Sequence, residues 1–441
     1  MLTREDNELL TRVGPGTPLG QLMRHYWIPV VQSSELAPGG HCKRVKLLGE
    51  NLVVVRSPAG HVGLLGEFCP HRRASLYFGR NEDAGLRCVY HGWQFALNGQ
   101  CTDMPNEPPA STFQEKVCQV AYPCTERGGV VWTYMGPSTP PPPLPDLEWT
   151  LVPAAQRLVS KFYQACNYLQ ALEGGLDPSH IAFLHGVLDA NDTATREDLD
   201  RAAAGFALAA RLARAPSIEV VDTDYGMLIG AQREAEAGQC YWRITQFHMP
   251  FYTMPPTDTT PDPVLHTHIW IPVDDAHLVN WCVSWHPTRP LSPQEREAMQ
   301  RGLSIHILDY APATSDAYGD IRPATQQQND YLIDWEAQRQ RKFFGVPGVG
   351  AQDQAITESQ QPIVDRTQER LGRADLGIIR VRQWLLDAAV ALRDRGTLPP
   401  GMDPASFRIR PASVLLPTEV PWVEGSRERR VARLTSPTSL A

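Results

Sequence analysis

The sequence predicts an α+β protein, in which an all-β domain near the N-terminus is followed by a larger antiparallel sheet flanked by helices. Short strand-like runs separated by Gly, Asn and Pro fill residues 42–136, as is typical of a small antiparallel β domain. After a proline-rich stretch at 137–147, segments of alternating polarity are interspersed with helical patterns. The change of pattern predicts a domain boundary at the proline-rich stretch.

The elements follow this division in chain order. Residues 1–40 are predicted as an N-terminal helical segment that breaks at 14–18, where Gly and Pro alternate. Residues 41–147 form the predicted β domain, and five prolines among residues 140–145 favour a stiff connector at its end. Residues 148–441 form the predicted second domain.

Helices and strands share the second domain. The predicted helical segments are 167–185, 295–345 and 353–395. The predicted strands lie in IEVVDTDYGMLIGA, CYWRITQFHMPFYTM, LHTHIWIPV and LVNWCVSWHP. A polar excursion at 189–205 and a loose C-terminal tail complete this prediction.

Composition excludes several classes of partner. A chain of 441 residues has room for two or three domains, and its net charge of −8 argues against binding to nucleic acid or to an anionic membrane. We find neither a signal peptide nor a run of about 18 apolar residues. The nine cysteines are an odd, scattered set that fits reduced thiols better than a disulfide framework. These features predict a cytoplasmic protein.

Two short hooks in the β domain each offer one thiolate and one imidazole. They are Cys69-Pro70-His71 and Cys88-Val89-Tyr90-His91. A structural zinc is one interpretation, but zinc hooks usually pair like ligands. A Rieske [2Fe–2S] cluster needs two cysteines on one iron and two histidines on the other, which mixed hooks supply. The pattern therefore favours the cluster, a centre that passes electrons on but does not act on an organic substrate itself.

A second candidate metal site follows the proline-rich connector. His180 and His185 are five residues apart, about 140° around a regular helix, so a shared metal requires an irregular turn such as a π-bulge. Two histidines and one carboxylate are typical of non-haem Fe(II) oxygenases, whereas taken alone the pair could be ordinary helix residues. Asp353 is the predicted carboxylate ligand, with Glu358 in reserve.

Asp177 precedes the first of these histidines by three residues. Its carboxylate could accept a hydrogen bond from an imidazole and so fix the tautomer of a metal ligand. Alternatively, it could cap the N-terminus of a helix.

In this order, roughly 90 residues apart, the two motifs resemble the catalytic α subunits of Rieske non-haem iron aromatic-ring oxygenases, over nearly the whole chain. The most similar group is that of phthalate 4,5-dioxygenase, which includes aryl-ether O-demethylases. The segments that carry this likeness are VGPGTPLGQLMRHYWIPVVQSSEL, CVYHGWQF, DMPNEP and QDQAITESQQPIVDRTQERLG. One departure is Arg73, where many members have Gly after CPHR; if its φ is positive, the cost is about 1 kcal/mol.

The resemblance implies fold, ligands and assembly. It implies an N-terminal Rieske domain, a helix-grip-like catalytic domain, and iron held by His180, His185 and Asp353. It also implies that Asp177 links the cluster of one subunit to the iron of its neighbour, within a homotrimer or a stacked hexamer.

The predicted function is that of a terminal oxygenase component, which uses O2 to hydroxylate an aromatic acid such as a phthalate isomer, by cis-dihydroxylation. No GxGxxG motif lies between a strand and a helix, so we expect electrons from a separate NAD(P)H-dependent flavin and iron–sulfur reductase. O-demethylation or monooxygenation of a methoxylated aromatic acid is an alternative. A Rieske electron carrier without oxygenase activity is an alternative of another class.

Three further residues bear on the substrate. Arg243 lies among aromatic residues on a predicted core strand, where it could clamp a carboxylate. It could instead reach the surface or pair with a structural acid. His266 and His268 are predicted as core or pocket residues, because no third metal ligand is near them in the sequence.

Overall fold

The helices lie at both ends of the chain and between its strands. The computed structural model describes residues 2–186, 188, 215–235, 238–256 and 262–433, so the predicted polar excursion at 189–205 lies outside the described residues. In chain order the helices are α1 (Arg4–Thr11), α2 (Pro18–Arg24), α3 (Glu148–Leu151), α4 (Tyr168–Leu176), α5 (Pro293–Gln300), α6 (Trp335–Gln340), α7 (Val349–Ser359), α8 (Leu376–Arg395), α9 (Trp422–Gly425) and α10 (Arg427–Arg430). No helix within these ranges has the length and apolar character of a membrane span.

The strands pair antiparallel in every ladder of the described residues. Those of the N-terminal part are β1 (Trp27–Gln32), β2 (Lys43–Leu47), β3 (Glu50–Arg56), β4 (Val62–Gly66), β5 (Arg80–Glu82), β6 (Gly85–Arg87), β7 (Gln94–Phe95), β8 (Cys101–Asp103), β9 (Ala121–Tyr122), β10 (Cys124–Arg127) and β11 (Val130–Tyr134). Those of the second part are β12 (Arg157–Gln164), β13 (Ser217–Asp222), β14 (Gly226–Glu234), β15 (Gln239–His248), β16 (Tyr252–Met254), β17 (Leu265–Asp274), β18 (His277–Trp285) and β19 (Ala412–Pro417).

The predicted fold class is confirmed, with three small sheets in the N-terminal part and one large sheet in the second part. The small sheets have the strand orders β1-β11-β10, β2-β3-β4-β9 and β5-β6-β7-β8. The large sheet has the order β12-β18-β17-β16-β15-β14-β13, with β19 paired to β15. Most of these pairs join strands that are consecutive in the chain, whereas β1 with β11, β4 with β9, β12 with β18 and β15 with β19 pair across longer stretches of sequence.

The segment 1–40, predicted to be helical, is helical only in part. Thr3 and Thr17 cap α1 and α2 with their side-chain oxygens. The next residues form β1, an edge strand beside β11 whose register shifts between Pro29 and Val31. Proline lacks the N–H that a central strand needs, and this position at an edge accommodates it.

Three predicted helical segments were too long. The helix predicted over 167–185 ends at Leu176, because the chain then meets Pro178. The segment predicted over 295–345 contains only α5 and α6, and the segment predicted over 353–395 separates into α7 and α8. In each case the helical pattern continued across residues that the structure uses as loops.

The two faces of the large sheet are covered differently. Phe162 lies opposite Asn280, which lies opposite Trp270 in turn, so all three point to one face. We call this side the helix face, because Phe162 packs there with residues of α7. Lys161 points to the other face, where its Nζ lies 2.7 Å from a carboxylate oxygen of Glu35 in the N-terminal part.

Helix α4 approaches the helix face very closely. A Cβ added to Gly175 would lie 2.7 Å from the ring of Trp270 and 2.9 Å from Oγ1 of Thr253. Any side chain at this position would therefore push the helix away from the sheet. Helix α8 covers the neighbouring strands in the same way, since a Cβ on Gly377 would lie 2.8 Å from Ile229.

A buried carboxylate joins these two helices. Glu173 of α4 accepts hydrogen bonds from Arg382 of α8 at 2.7 and 3.0 Å and from Arg366 at 3.2 Å. Burial raises the pKa of Glu173, but the two guanidinium groups outweigh this effect and leave the pKa below its ordinary value. Because the folded pKa is lowered, this stabilisation is present above the pKa of the unfolded chain and is lost as the pH falls through the folded value.

Replacing Glu173 by Gln should lower the free energy of unfolding by about 3 kcal/mol, because the buried guanidinium of Arg366 loses its carboxylate partner and that of Arg382 keeps only Glu369. Chemical denaturation at neutral pH measures this change. The control is Glu8→Gln, which breaks a surface pair with Arg12 and should cost about 0.5 kcal/mol or less. Equal effects of the two substitutions would contradict a structural role for the buried pair.

Candidate metal centres

The two predicted hooks lie side by side and have the same backbone geometry. The N–H of Arg73 donates to the carbonyl of Cys69 at 2.8 Å, and the N–H of Gly92 donates to the carbonyl of Cys88 at 3.0 Å. Both Arg73 and Gly92 have positive φ, +62° and +79°. The positive φ that the sequence analysis considered for Arg73 is therefore present, and it costs about 1 kcal/mol at a residue other than glycine. The cysteine and histidine of this hook nevertheless lie beside those of the other hook.

The side chains of the hooks suit a cluster with unlike ends. Cys69 and Cys88 are buried, whereas the rings of His71 and His91 are partly exposed and lie 4.5 Å apart between centroids. Nδ1 of His91 is buried and has no hydrogen-bond partner among the described residues, as expected of a nitrogen reserved for a metal. The hooks therefore fit a [2Fe–2S] group with its histidine end toward the surface.

The ring of His71 is held by a residue outside the ligand pattern. Trp93 stacks on His71 with 4.4 Å between ring centroids and an interplanar angle of 9°. The Nε1–H of Trp93 donates to Oδ1 of Asn106 at 2.7 Å, which fixes the indole in turn. Spacing of Cys and His cannot reveal such a supporting residue, although Trp93 follows the second hook directly.

The second candidate site lies where the regular helix α4 has ended. A short 3-10 turn covers His180–Ala182 and leads to His185. The predicted irregularity is therefore present, as a 3-10 turn and not as a π-bulge. This turn brings His180 and His185 together, with their Nε2 atoms 3.2 Å apart.

Asp353, in the second turn of α7, completes a group of three potential ligands. Its Oδ1 lies 3.2 Å from Nε2 of His185 and 3.7 Å from Nε2 of His180. Ligand atoms about 2.1 Å from a metal and at right angles to each other lie about 3 Å apart, so the three side chains fit one ion. His185 is nearly buried, whereas 37% of the Asp353 side chain is exposed, which leaves one side of the site open.

Electrostatics tie the three groups together. Burial raises the pKa of Asp353, but the imidazoles of His185 and His180 outweigh it, so the pKa of this carboxyl lies below its ordinary value. Burial lowers the pKa of His180, yet Asp177 and Asp353 more than compensate and raise it. The surroundings therefore stabilise a negative charge on Asp353 and a positive charge next to it, as the binding of a cation by a carboxylate requires.

Asp177 combines features of both interpretations offered by its sequence position. Its carboxylate accepts hydrogen bonds from the backbone N–H of Ser179 at 2.7 Å and of His180 at 3.2 Å, which is the geometry of a cap. The same carboxylate lies 3.5 Å from Nδ1 of His180, at the outer limit of a hydrogen bond. It is thus placed to orient that ring.

Gln352 is a residue of the site that sequence analysis missed. Nδ1 of His185 lies 2.6 Å from its Oε1, and its amide donates to the carbonyl of Val346 at 2.8 Å. Nδ1 therefore carries the proton, and Nε2 is left free to bind a metal. An amide directly before the predicted ligand Asp353 was the available signal.

The reserve candidate, Glu358, has a structural role. Its carboxylate accepts hydrogen bonds from the backbone of Ala165 at 2.9 Å and from the hydroxyl of Tyr331 at 2.7 Å. It lies outside the group of potential ligands formed by His180, His185 and Asp353.

A cleft of about 200 Å³ opens beside the second site. Its walls include two of the potential ligands, His180 and Asp353, together with Asp177. The other ionisable residues that line it are Glu173, Glu369, Asp375 and Arg382. Acidic groups outnumber basic ones, so the cleft is negatively charged.

The predicted substrate residue Arg243 is buried on β15. It shares the helix face of the sheet with Arg233 of β14, because Arg243 lies opposite Ala231 two positions away. Burial and the charge of Arg243 lower the pKa of Arg233 to about 10. Arg233 is a second buried cation that sequence analysis missed, since its own strand segment was predicted only as far as Ala231.

Two family models match the chain along most of its length. One, the Rieske [2Fe-2S] domain, matches residues 26–114, and the other, described as LigXa C-terminal domain like, matches residues 133–421. Together with the two sites, these matches define an iron–sulfur oxygenase built from two cofactor-binding parts.

Three curated relatives place the chain more closely. It is 40% identical to the 3-chlorobenzoate-3,4-dioxygenase oxygenase subunit of Comamonas testosteroni, over 98% of this chain and 100% of the relative. It is 35% identical to the phthalate 4,5-dioxygenase oxygenase subunit of Pseudomonas putida, over 89% of this chain and 87% of the relative. It is 32% identical to the 5,5'-dehydrodivanillate O-demethylase oxygenase subunit of a Sphingobium strain, over 95% and 87%.

The chain therefore belongs to the Rieske non-haem iron oxygenases, and its cofactors are a Rieske [2Fe–2S] cluster and a mononuclear iron. This membership favours the cluster over zinc and an oxygenase over a pure electron carrier. The fold agrees, since the crystal structure of dicamba monooxygenase bound to dicamba aligns with a TM-score of 0.58 at 18% identity, over 85% of this chain and 100% of that one.

Replacing Gln352 by Ala should weaken iron binding at the mononuclear site by about 10- to 100-fold, because His185 loses the acceptor that fixes its tautomer. Iron retained after dialysis against a chelator measures the change, and the visible spectrum of the cluster should stay the same.

The control is Gln354→Ala, which removes another buried amide of α7, one that bonds the carbonyl of Thr325 instead of a histidine. Iron retention equal to that of the unaltered protein in the Gln352 variant would contradict the role assigned to this amide.

Proposed function

We propose that the chain is the terminal oxygenase of a multicomponent system and that it hydroxylates an aromatic acid, such as a phthalate isomer, by cis-dihydroxylation. When bound, the two cofactors supply electrons and a site for the activation of O2. The proposed cluster ligands are Cys69, His71, Cys88 and His91, and the proposed iron ligands are His180, His185 and Asp353. The proposed domains are residues 41–147 for the cluster and 148–441 for the iron, after a segment at 1–40.

The observation that supports an acidic substrate is the pair of buried arginines beside the iron site. Nη2 of Arg233 donates to the carbonyl of Pro178 at 3.0 Å, two residues before His180. Arg233 and Arg243 lie diagonally across neighbouring strands, where residues are about 7–8 Å apart. Arg233 is thus connected to the turn at His180–Ala182, which we call the iron-binding turn.

The other arginine of the pair, Arg243, is connected through β16 to β17. Nη2 of Arg243 donates to the carbonyl of Pro256, which follows β16, and β16 pairs with β17 at His268. His268 and Asp353 line the same small cavity. The arginines, β17 and the iron-binding turn therefore surround one region of the helix face.

A carboxylate is the substrate group that this region favours. Guanidinium groups donate paired, charge-assisted hydrogen bonds to a carboxylate, and these bonds are strongest where water is excluded. An aromatic ring attached to that carboxylate would extend toward the iron triad. Two of the curated relatives are named for aromatic acids, 3-chlorobenzoate and phthalate.

Replacing Arg243 by Ala should raise KM for the best aromatic acid by about 10- to 100-fold, because a charge-assisted hydrogen bond to the carboxylate is lost. Steady-state oxygen uptake with a panel of aromatic acids and a compatible reductase measures this. Arg393→Ala, on the exposed end of α8, is the control and should leave KM unchanged. An unchanged KM in the Arg243 variant would contradict the proposed clamp.

O-demethylation is the second candidate, and the relative named 5,5'-dehydrodivanillate O-demethylase supports it. The iron chemistry that hydroxylates a ring can also oxidise a methyl C–H. Product mass separates the possibilities, since dihydroxylation adds two oxygens and two hydrogens, monooxygenation adds one oxygen, and demethylation removes a methyl group.

We further propose that electrons pass between subunits of a homotrimer or stacked hexamer, through Asp177. The N-terminal part of the same chain pairs with Lys161 on the face of the sheet opposite the iron site. The exposed end of the cluster is surrounded by Val89, Tyr90 and Arg72, an apolar and basic surface. This surface complements the acidic cleft beside Asp177, which a neighbouring subunit can present.

The remaining partners follow from this function. A separate NAD(P)H-dependent reductase supplies the electrons, as expected for chains named oxygenase subunits. None of the nine cysteines, all of which lie within the described residues, forms a disulfide, which supports the proposed cytoplasmic location.

Replacing His180 by Ala should abolish substrate-dependent oxygen uptake and reduce the iron content from about three to about two per chain, while the spectrum of the cluster survives. Oxygen uptake, iron analysis and visible spectra test this directly. Full activity in this variant would refute the proposed iron site.

The route between subunits is tested by co-expressing His180→Ala with His91→Ala, which lacks a cluster ligand. In a head-to-tail ring of randomly mixed subunits, about one quarter of the contacts join an intact cluster to an intact iron site. We therefore expect about one quarter of the original activity. No recovery of activity would contradict transfer between subunits.

A further inference from the structure

A chain of hydrogen bonds runs across the helix face at one end of β17. Oγ of Ser160 lies 2.6 Å from Nδ1 of His306, and Nε2 of His306 lies 2.7 Å from Oγ of Ser284. The same Oγ of Ser284 lies 2.7 Å from Nδ1 of His266. Ser160, Ser284 and His306 are buried, whereas the side chain of His266 is partly exposed.

Both imidazoles in this chain are neutral. Burial lowers the pKa of His266 to about 3 and also lowers the pKa of His306 well below its ordinary value. A neutral imidazole has one nitrogen that donates and one that accepts. Since both nitrogens of His306 bond to hydroxyl groups, the direction of one hydrogen bond determines the direction of the next.

Ser160 determines the direction of the whole chain. Its hydroxyl has one proton, and Nδ1 of His306 is the single acceptor that this hydroxyl contacts among the described residues. If Ser160 donates, His306 carries its proton on Nε2 and donates to Ser284, which then donates to Nδ1 of His266. His266 must therefore carry its own proton on Nε2.

The side chain of His266 is partly exposed, so that nitrogen is open to a hydrogen-bond acceptor from outside the chain of hydrogen bonds. Nε2 of His266 makes no hydrogen bond within the described part of the chain, and the residue stands two positions before His268 on the same face. The antiparallel register that places Thr253 opposite His268 directs Pro255 and Pro256 toward this end of β17, and Arg243 contacts Pro256. His266 therefore lies at the end of β17 toward which Arg243 is directed.

We propose that His266 is a substrate-binding residue whose Nε2–H donates a hydrogen bond to an oxygen acceptor on the ring of the aromatic acid, and that Ser160, His306 and Ser284 are positioning residues that hold it in this tautomer. The inference rests on the proposed function. It assigns separate tasks to the two groups: the arginines bind the carboxylate, and His266 recognises a second oxygen substituent on the ring.

The test is calorimetric binding to the oxygen-free holoenzyme, which needs no turnover. Methoxybenzoates carry an acceptor, and ethylbenzoates of the same shape carry none, so each pair is compared at the ortho, meta and para positions. We expect the methoxy compound to bind about three- to tenfold more tightly at one position, the worth of one hydrogen bond. Equal binding at all three positions would overturn the inference.

Two variants identify the origin of the preference. Ser284→Ala should reduce it to about onefold, because His266 loses the donor that fixes its tautomer, and His266→Phe should do the same by removing the group itself. Ser406→Ala is the matched control, since it removes another serine–histidine hydrogen bond, 2.9 Å long, to His248 on the opposite face. It should keep the full preference.

The remaining outcomes separate this inference from the function on which it rests. A preference that persists in Ser284→Ala would contradict the role of the hydrogen-bond chain. Failure of every aromatic acid to bind would contradict the proposed substrate class itself, and the inference with it. Labelling the histidines with ¹⁵N gives an independent reading, because a proton on Nδ1 of His266 would exclude the proposed tautomer.

Discussion

The iron site depends on the close contact of α4 with the sheet and with α8. Glycine at position 175 lets the helix backbone approach Trp270, and the carboxylate of Glu173 holds the same helix to Arg382. Because the sheet and α8 both hold α4, the helix keeps its position although it ends at Leu176, just before Pro178. The irregular turn that follows can then present His180 opposite α7, a separate element that carries the third potential ligand, Asp353.

The helix face of the sheet carries both apolar residues and buried polar residues. Apolar residues such as Ile229 and Phe162 pack beneath α8 and α7 and supply the hydrophobic stabilisation. Between them the strands carry arginines, histidines and serines, whose burial costs free energy unless each finds a partner. Ser284, for example, bonds to the imidazole of His266 within the sheet and to that of His306 in the loop after α5. Such networks fix the orientation of side chains, which a site that recognises a substrate requires.

Sequence analysis predicted the fold class and the residues that the structure brings together at both sites, because Cys, His and Asp in fixed spacings have few other uses. It failed where the decisive contact is distant in sequence. β1 is a strand because β11, about 100 residues later, lies beside it. Gln352 and Arg233 carry no motif, since their role follows from the atoms that fold next to them.

The two cofactor sites differ in exposure, and this difference has a physical reason. A cluster that receives electrons from one protein and passes them to another must bring its histidines to the surface, whereas iron that activates O2 must be shielded from water. In this chain the cluster hooks bring partly exposed imidazoles beside an apolar and basic surface, and the iron triad lies beneath a cleft with an acidic wall. The chain's own N-terminal part pairs with the opposite face of the sheet through Glu35 and Lys161. The proposed contact with another copy of the same chain would therefore bring an apolar and basic cluster end to the acidic cleft.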